Sequence, residues 1–449
     1  MGNGNNKIKL FNLFAELCAY IVKLHTKDYL VQYGCISKDE RKRIVDAIED
    51  NTFLKRGDNG KFLVITSDEI NDKFMKTMIS FTEELRLRDD NNCIMGLIQA
   101  LDGAMSDILK NEIKYFQNET FTEELNTNRD ETGIGLLPRC SCVWARKSRM
   151  SYSYRRIANF LKHFMVMENR VLDNINDRHI FLKQGFFENF DKTKKLKVAA
   201  SPLVARPTFD IEYQDNSNFQ VFSVKYDRST MDEENELVWQ RIVDAGKEEA
   251  EIVVFPEMLG NANMEKFIRD KLYTLDEKHR KEIPAMIVLP SYSNNRKNVT
   301  TILDRYGRRI ADQHKQNPYV MIGKHGQYME DIMGSNGIVN IFHYEGIGRF
   351  AILICKDFLT TRYMERIMRG FMLTMIIVPA YSTGAYDFKM SFDLCAHDYC
   401  NVIWINSCAA MKPGKEMNFE NIGYIRKRIS RYEEETEALY NMKPCKGLF

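Results

Sequence analysis

Phe350-Ala351-Ile352-Leu353-Ile354-Cys355-Lys356-Asp357 contains an apolar run that closes on a thiol. A run with no polar residue on either side of its pleat reads as a strand buried on both faces, as sheets sandwiched under helices require. A second run has the same form and closes on an acid: Ile252-Val253-Val254-Phe255-Pro256-Glu257. At the carboxyl ends of such strands, open α/β sheets bring polar groups together on a ligand. Between the two, Asn298 to Lys315 reads as a hairpin turning at Gly307 and ending on an ammonium.

Acid, ammonium and thiol form a set that can perform acyl chemistry. Sulfur attacks an electrophilic carbon once it is a thiolate. Glu257 can take the thiol proton and later activate a water, while Lys315 can stabilise an oxyanion. Taken singly, each residue has an ordinary structural reading. A Cys ending an apolar strand belongs to the core by burial habit, Glu257 can charge a helix start, and a lone Lys sits on the surface.

The order of these residues resembles the carbon-nitrogen hydrolase (nitrilase) superfamily, whose catalytic set is Glu, Lys and Cys in that chain order. Asn235 after Asp232-Glu233-Glu234, the run ending Pro256-Glu257, the hairpin to Lys315, Ile354-Cys355-Lys356-Asp357, Met375 to Ala380 and Asn401 to Asn406 carry the likeness. It implies an α-β-β-α sandwich, an oligomer built through that domain, and catalytic roles for Glu257, Lys315 and Cys355. Many members carry a second Glu in a Gly-Glu-Tyr context. Here Gly326-Gln327-Tyr328 holds that place, so either Glu330 substitutes as the acid or the second acid is missing, which would weaken full activity. Lys324 rivals Lys315 because the residues after Lys315 depart from the family pattern. Lys356 replaces the usual aromatic residue, and its backbone N–H remains available as half of an oxyanion hole, with Asp357 in support.

A chain of 449 residues, 44% of them apolar, is long enough to bury more than one core. Residues 219–449 are assigned to the hydrolase-like domain, 196–218 to a connecting segment, and 1–195 to a mostly helical domain. In that first part, Leu10, Leu13, Phe14, Leu17 and Ile21, then Phe74, Met78, Phe81 and Leu85, then Ile94, Leu97, Leu101 and Met105 recur at helical spacing. Lys61 to Ile65, after the turn signal Gly57-Asp58-Asn59-Gly60, is a strand candidate. Arg146, Arg149 and Arg155, interleaved with Trp144, Tyr152 and Tyr154, form a basic and aromatic segment suited to a protein or nucleic-acid partner.

A formal net charge of +2 gives no global argument for a nucleic-acid or membrane partner. The apolar stretch near the N-terminus carries Glu16 and Lys23 and is too short to span a bilayer. The 10 cysteines show no C-x-x-C pairing, so neither zinc nor any other cofactor is expected, and reduced thiols suit a cytoplasmic protein. The function implied by the resemblance is hydrolysis of a non-peptide carbon-nitrogen bond, in an amide rather than a nitrile. The alternative is a nitrilase-like regulatory or scaffolding module of a bacterial multi-component system, such as one for phage defence.

Overall fold

The computed structural model describes residues 2–23, 29–144, 156–173, 175–203, 209–215, 220–227, 229–323, 326–384, 386–410, 422–427 and 439–442. The chain divides into two compact units, Met1–Lys114 with Thr122–Asn174 and Tyr115–Phe121 with Ile175–Phe449. Arg146, Arg149, Arg155 and Lys324 lie outside the described residues.

The first unit contains α1 (Gly2–Lys23), α2 (Tyr29–Gly34), α3 (Lys38–Asn51), α4 (Asp72–Leu87), α5 (Asn91–Ala104), α6 (Ser106–Asn111), α7 (Arg129–Thr132), β1 (Ile134–Pro138), β2 (Phe164–Glu168) and α8 (Asn169–Leu172). Three of its helices begin on short polar side chains that satisfy otherwise unpaired N–H groups. Ser37 accepts from Glu40 N, Asn71 from Phe74 N, and Asp90 from Cys93 N. The apolar stripes of α1 and α4 pack on α5, which is buried around most of its circumference. α3 also crosses α5, at Gly96, where a Cβ would stand 2.2 Å from the Ile44 side chain. Buried Asp102 accepts from the backbone N–H groups of Lys162, His163 and Phe164 and so fixes the entry to β2. Lys61 to Ile65 does not form a strand. After the turn closed by Gly60 N to Gly57 O, it contributes one bridge, Arg56 to Phe62.

The second unit begins earlier than its sequence suggested. It contains β3 (Asn176–Phe181), α9 (Glu188–Thr193), β4 (Val198–Ala200), β5 (Phe209–Asp215), β6 (Gln220–Tyr226), α10 (Met231–Lys247), β7 (Ile252–Val254), α11 (Met264–Thr274), α12 (Glu277–Lys281), β8 (Met286–Val288), β9 (Tyr292–Asn294), β10 (Lys297–Asp304) and β11 (Arg309–His314). It continues with β12 (Val320–Gly323), β13 (Gly326–Glu330), β14 (Ile338–Tyr344), β15 (Gly348–Ile352), α13 (Lys356–Leu359), α14 (Thr361–Gly370), β16 (Met375–Pro379), α15 (Tyr386–His397), β17 (Asn401–Ile405), β18 (Gly423–Arg426) and β19 (Leu439–Met442).

One sheet runs β11-β10-β8-β7-β4, with β9 beside β10, and the other runs β19-β18-β17-β16-β15-β14-β3. Val238 and Ile242 of α10 and Ile268 and Leu272 of α11 cover the first sheet through Val253, Ile287 and Leu303. Phe358 of α13 and Phe388 and Phe392 of α15 cover the second, with the Phe388 ring 5.1 Å from Trp404 of β17. The sheets meet on their inner faces, where Asn340 of β14 donates to Asp312 O and to Gln313 Oε1 of β11. The layers are therefore helix, sheet, sheet, helix, with β7, β8, β15 and β16 buried along their whole length.

β3 and β4 correct the expected boundary at 195 and the connecting segment at 196–218. β3 pairs with β14 in parallel, and β4 with β7. The polar spacing of β3 and the shortness of β4 hid both strands, and β5 pairs along its length with β6 in a further sheet, β12-β13-β6-β5. At the other end, Ile425 and Arg426 belong to β18. No described helix is long and apolar enough to cross a membrane.

Candidate active site

Adjacent strand ends set the site. β15 delivers Cys355, whose N–H donates to Pro379 O at the end of β16. β7 delivers Glu257, whose N–H crosses between the sheets to Ala380 O. Neighbouring residues 379 and 380 thus dock the thiol and the acid of two different sheets side by side. Cys355 holds φ 45° and ψ −96°, a backbone state that costs a residue with a Cβ. It turns the strand into α13, whose first bonds run from Asp357 N to Ile354 O and from Phe358 N to Cys355 O.

One oxygen of the Glu257 carboxylate accepts from Tyr381 N at 3.2 Å. Its other oxygen takes Lys315 Nζ at 2.8 Å and Asn298 Nδ2 at 2.9 Å. Lys315 Nζ reaches Glu330 Oε2 at 2.5 Å, and Asn298 Nδ2 reaches Glu330 Oε1 at 3.0 Å. Glu257, Lys315 and Cys355, expected together from sequence, are together, and Glu330 completes the second carboxylate beside the ammonium.

Gln327 does not hold that position. Tyr328 and Glu330 share the buried face of β13, whereas Gln327 is exposed on the other face, as the two-residue period of a strand dictates. The Lys356 side chain is half-buried and its backbone follows the thiol. Asp357 is buried behind the site, where Oδ1 accepts from Gln316 N, Asn317 N and Asn317 Nδ2. It fixes the turn that follows Lys315.

Charge balance explains the protonation states. Burial pushes the Cys355 thiol up, and the neighbouring Glu257 carboxylate adds to the rise more than Lys315 offsets it. Burial also raises Glu257, with Glu330 reinforcing and Lys315 opposing. Lys315 is raised well above an ordinary lysine: burial opposes its charge, but the two carboxylates win. The resting centre is a neutral thiol and a carboxylate that is more basic than usual.

Sequence reasoning named no role for Asn298, Ser291 or Tyr381. Asn298 is fully buried, and its Oδ1 accepts from Ser291 Oγ at 2.7 Å. Ser291 Oγ in turn accepts from Met258 N, next to the acid. Asn235 accepts from Asn261 Nδ2 and so steadies the loop after Glu257. Only an Asn beginning a strand that leads to the lysine was visible beforehand. Tyr381 carried no signal. The Thr230 hydroxyl donates to Glu234 Oε1 and makes no cap bond to α10. Among the described residues, no group of His, Cys, Asp and Glu is arranged to hold a metal.

No family model matches the chain, and no curated protein matches it. Among solved structures, the NitN amidase from Nesterenkonia sp. AN1 is similar at 13% identity over 57% of this chain and 91% of its own, with a TM-score of 0.33. A Glu-to-Gln mutant of the amidase from that organism, showing covalent addition of the acetamide moiety of fluoroacetamide at the active site cysteine, is similar at 13% identity over 56% and 88%, with a TM-score of 0.37. A Cys-to-Ala mutant of that amidase, described as from the nitrilase superfamily, is similar at 13% identity over 56% and 88%, with a TM-score of 0.35.

Proposed function

We propose that the second unit hydrolyses the carbon-nitrogen bond of a small amide through a thioester on Cys355. The observation that carries this reading is the docking of the buried thiol and a buried carboxylate on neighbouring residues 379 and 380, the carboxylate itself being held by Lys315. A purely structural core would gain nothing from burying an ammonium between two carboxylates.

Glu257 takes the thiol proton as sulfur attacks the carbonyl carbon. The oxyanion of the tetrahedral intermediate is stabilised by the Lys315 ammonium and by the Lys356 N–H at the start of α13. Glu257 then gives its proton to the nitrogen, the C–N bond breaks, and ammonia or an amine leaves. In the second half, water loses a proton to Glu257 and attacks the thioester. The C–S bond breaks, the thiolate recovers the proton, and the carboxylic acid departs. Glu330 holds Lys315 in place and raises the basicity of Glu257 without touching the sulfur.

Alkylation of the full chain with iodoacetamide, mapped by mass spectrometry, tests the nucleophile. Cys355 is expected to react, and Glu257→Gln to slow it by about a hundredfold or more. Ammonia release from a panel of short amides tests the reaction, and Cys355→Ala should abolish it. An inert Cys355, or release that survives Cys355→Ala, overturns the proposal.

A further inference from the structure

Three consecutive residues at the end of β16 hold the reacting pair. Pro379 O accepts from Cys355 N at 2.8 Å, Ala380 O accepts from Glu257 N at 3.3 Å, and Tyr381 N donates to Glu257 Oε2 at 3.2 Å. The parallel pairing of β16 with β17 stops at Pro379 and Ile405, and its last bond runs from Ala380 N to Ile405 O. Residues 381 and 382 therefore lie beyond the reach of the sheet. A backbone left untethered there would let the Tyr381 N–H drift from the carboxylate.

Asn406, the residue after β17, replaces the missing ladder with its side chain. Its Oδ1 accepts from Ser382 N at 2.9 Å, and its Nδ2 donates to Ser382 O at 2.8 Å. The amide thus satisfies both backbone groups of one residue, as an adjacent strand would. A carboxylate of the same shape has no donor for the carbonyl, so the pair of bonds needs an amide. Asn406 is fully buried, and its own N–H goes to Ile422 O at 2.7 Å, which gives the side chain a fixed base. Three residues further on, Ala409 O accepts the Tyr381 hydroxyl at 2.6 Å, so the chain after β17 holds this loop at two successive residues.

Resting on the amidase reading above, we propose that Asn406 is a positioning residue for that reaction: by clamping Ser382 it sets where the Tyr381 N–H meets the Glu257 carboxylate. It acts through the backbone of residues 381 and 382, which its side chain bonds instead of the acid or the thiol. An N–H aimed at a carboxylate favours the ionised form, so the clamp keeps Glu257 available as a base. Burial first, then the Glu257 charge, pushes the Cys355 thiol up, and the Tyr381 N–H pulls against both. Loss of the clamp therefore has one sign at both groups, and each holds its proton to higher pH.

The test is the pH profile of Cys355 alkylation by iodoacetamide in the full chain. Asn406→Ala should move the acid limb up by about half a unit or more, and so slow the reaction on that limb by about threefold or more. Leu272→Ala is the control for lost stability alone. That side chain lies in the core of the other sheet, beside the turn at Gly307, at the end of the hairpin away from Lys315. It should lower the urea midpoint and leave the limb where it is. If Asn406→Ala does not fold, Asn406→Ser is held to the same shift. A limb that stays put or moves down in the Asn406 variant, or an equal upward shift in Leu272→Ala, makes Asn406 a structural residue and overturns the proposal while leaving Cys355 as nucleophile. Silence of Cys355 toward iodoacetamide at every pH in the parent overturns the amidase reading and this proposal with it.

Discussion

Lys315 Nζ lies 2.5 Å from Glu330 Oε2, so the buried ammonium has a second carboxylate beside that of Glu257. With both acids ionised, the centre carries one more negative than positive charge. That excess helps keep Cys355 protonated and Glu257 basic.

Removing the excess has a defined sign. Glu257 is raised in the folded protein by burial and by Glu330, so Glu330→Gln lowers it and leaves the base ionised to lower pH. The acid limb of the pH profile for Cys355 alkylation should move down by on the order of one unit. An unmoved limb would show that Glu330 does not set the basicity of Glu257.

The backbone at Cys355 gives a prediction about stability. At φ 45° a Cβ is strained, and glycine is not. Cys355→Gly should therefore be at least as stable as Cys355→Ala, by up to about 1 kcal/mol, although it buries less. Urea unfolding of both variants checks the order, and a clearly less stable glycine variant would mean that the lost contacts outweigh the strain. Both should lack turnover.

Much of this site was legible because its chemistry sits at the ends of apolar strands. Ile252 to Glu257 and Phe350 to Cys355 announce themselves by burial on both faces, and both runs deliver their polar residue where the sheets meet. Glu330 was ambiguous because Gln327 occupies the place that the family likeness suggested, and only the face of β13 decides between them. Tyr381 was illegible for another reason: its role depends on strand ends distant in sequence meeting at its backbone N–H. β4 escaped notice because three residues, Val198–Ala200, carry too little pattern to mark a strand until β7 lies beside them.

Gly260 couples packing to the acid. A Cβ there would stand 2.4 Å from Pro290 O and 3.2 Å from Ser291 O, both backbone atoms that cannot turn aside. Ser291 also accepts from Gly260 N and, through its hydroxyl, from Met258 N. Gly260→Ala should cost about 1 to 3 kcal/mol and slow Cys355 alkylation, because the forced shift passes through Ser291 to the residue after Glu257. Parent-like stability and alkylation in this variant would place the strain elsewhere.

Asp357 gives the pH dependence of stability. Burial pushes its carboxyl from the ordinary 3.8 up to about 7, although Asn317 and the backbone of Gln316 and Asn317 hydrogen-bond it. Folding therefore favours the protonated form. The stabilising contribution is complete below the unfolded value near 3.8, falls as the pH rises, and is gone above about 7. Its ceiling is on the order of 4 kcal/mol. Asp357→Asn cannot ionise, so its effect through the lost acceptor oxygen is a constant offset at every pH. Urea midpoints at pH 4.5, 6 and 8 should converge or cross, with the variant gaining on the parent as pH rises. Parallel curves would mean that Asp357 stays ionised in the folded protein, held by the N–H groups of the turn after Lys315.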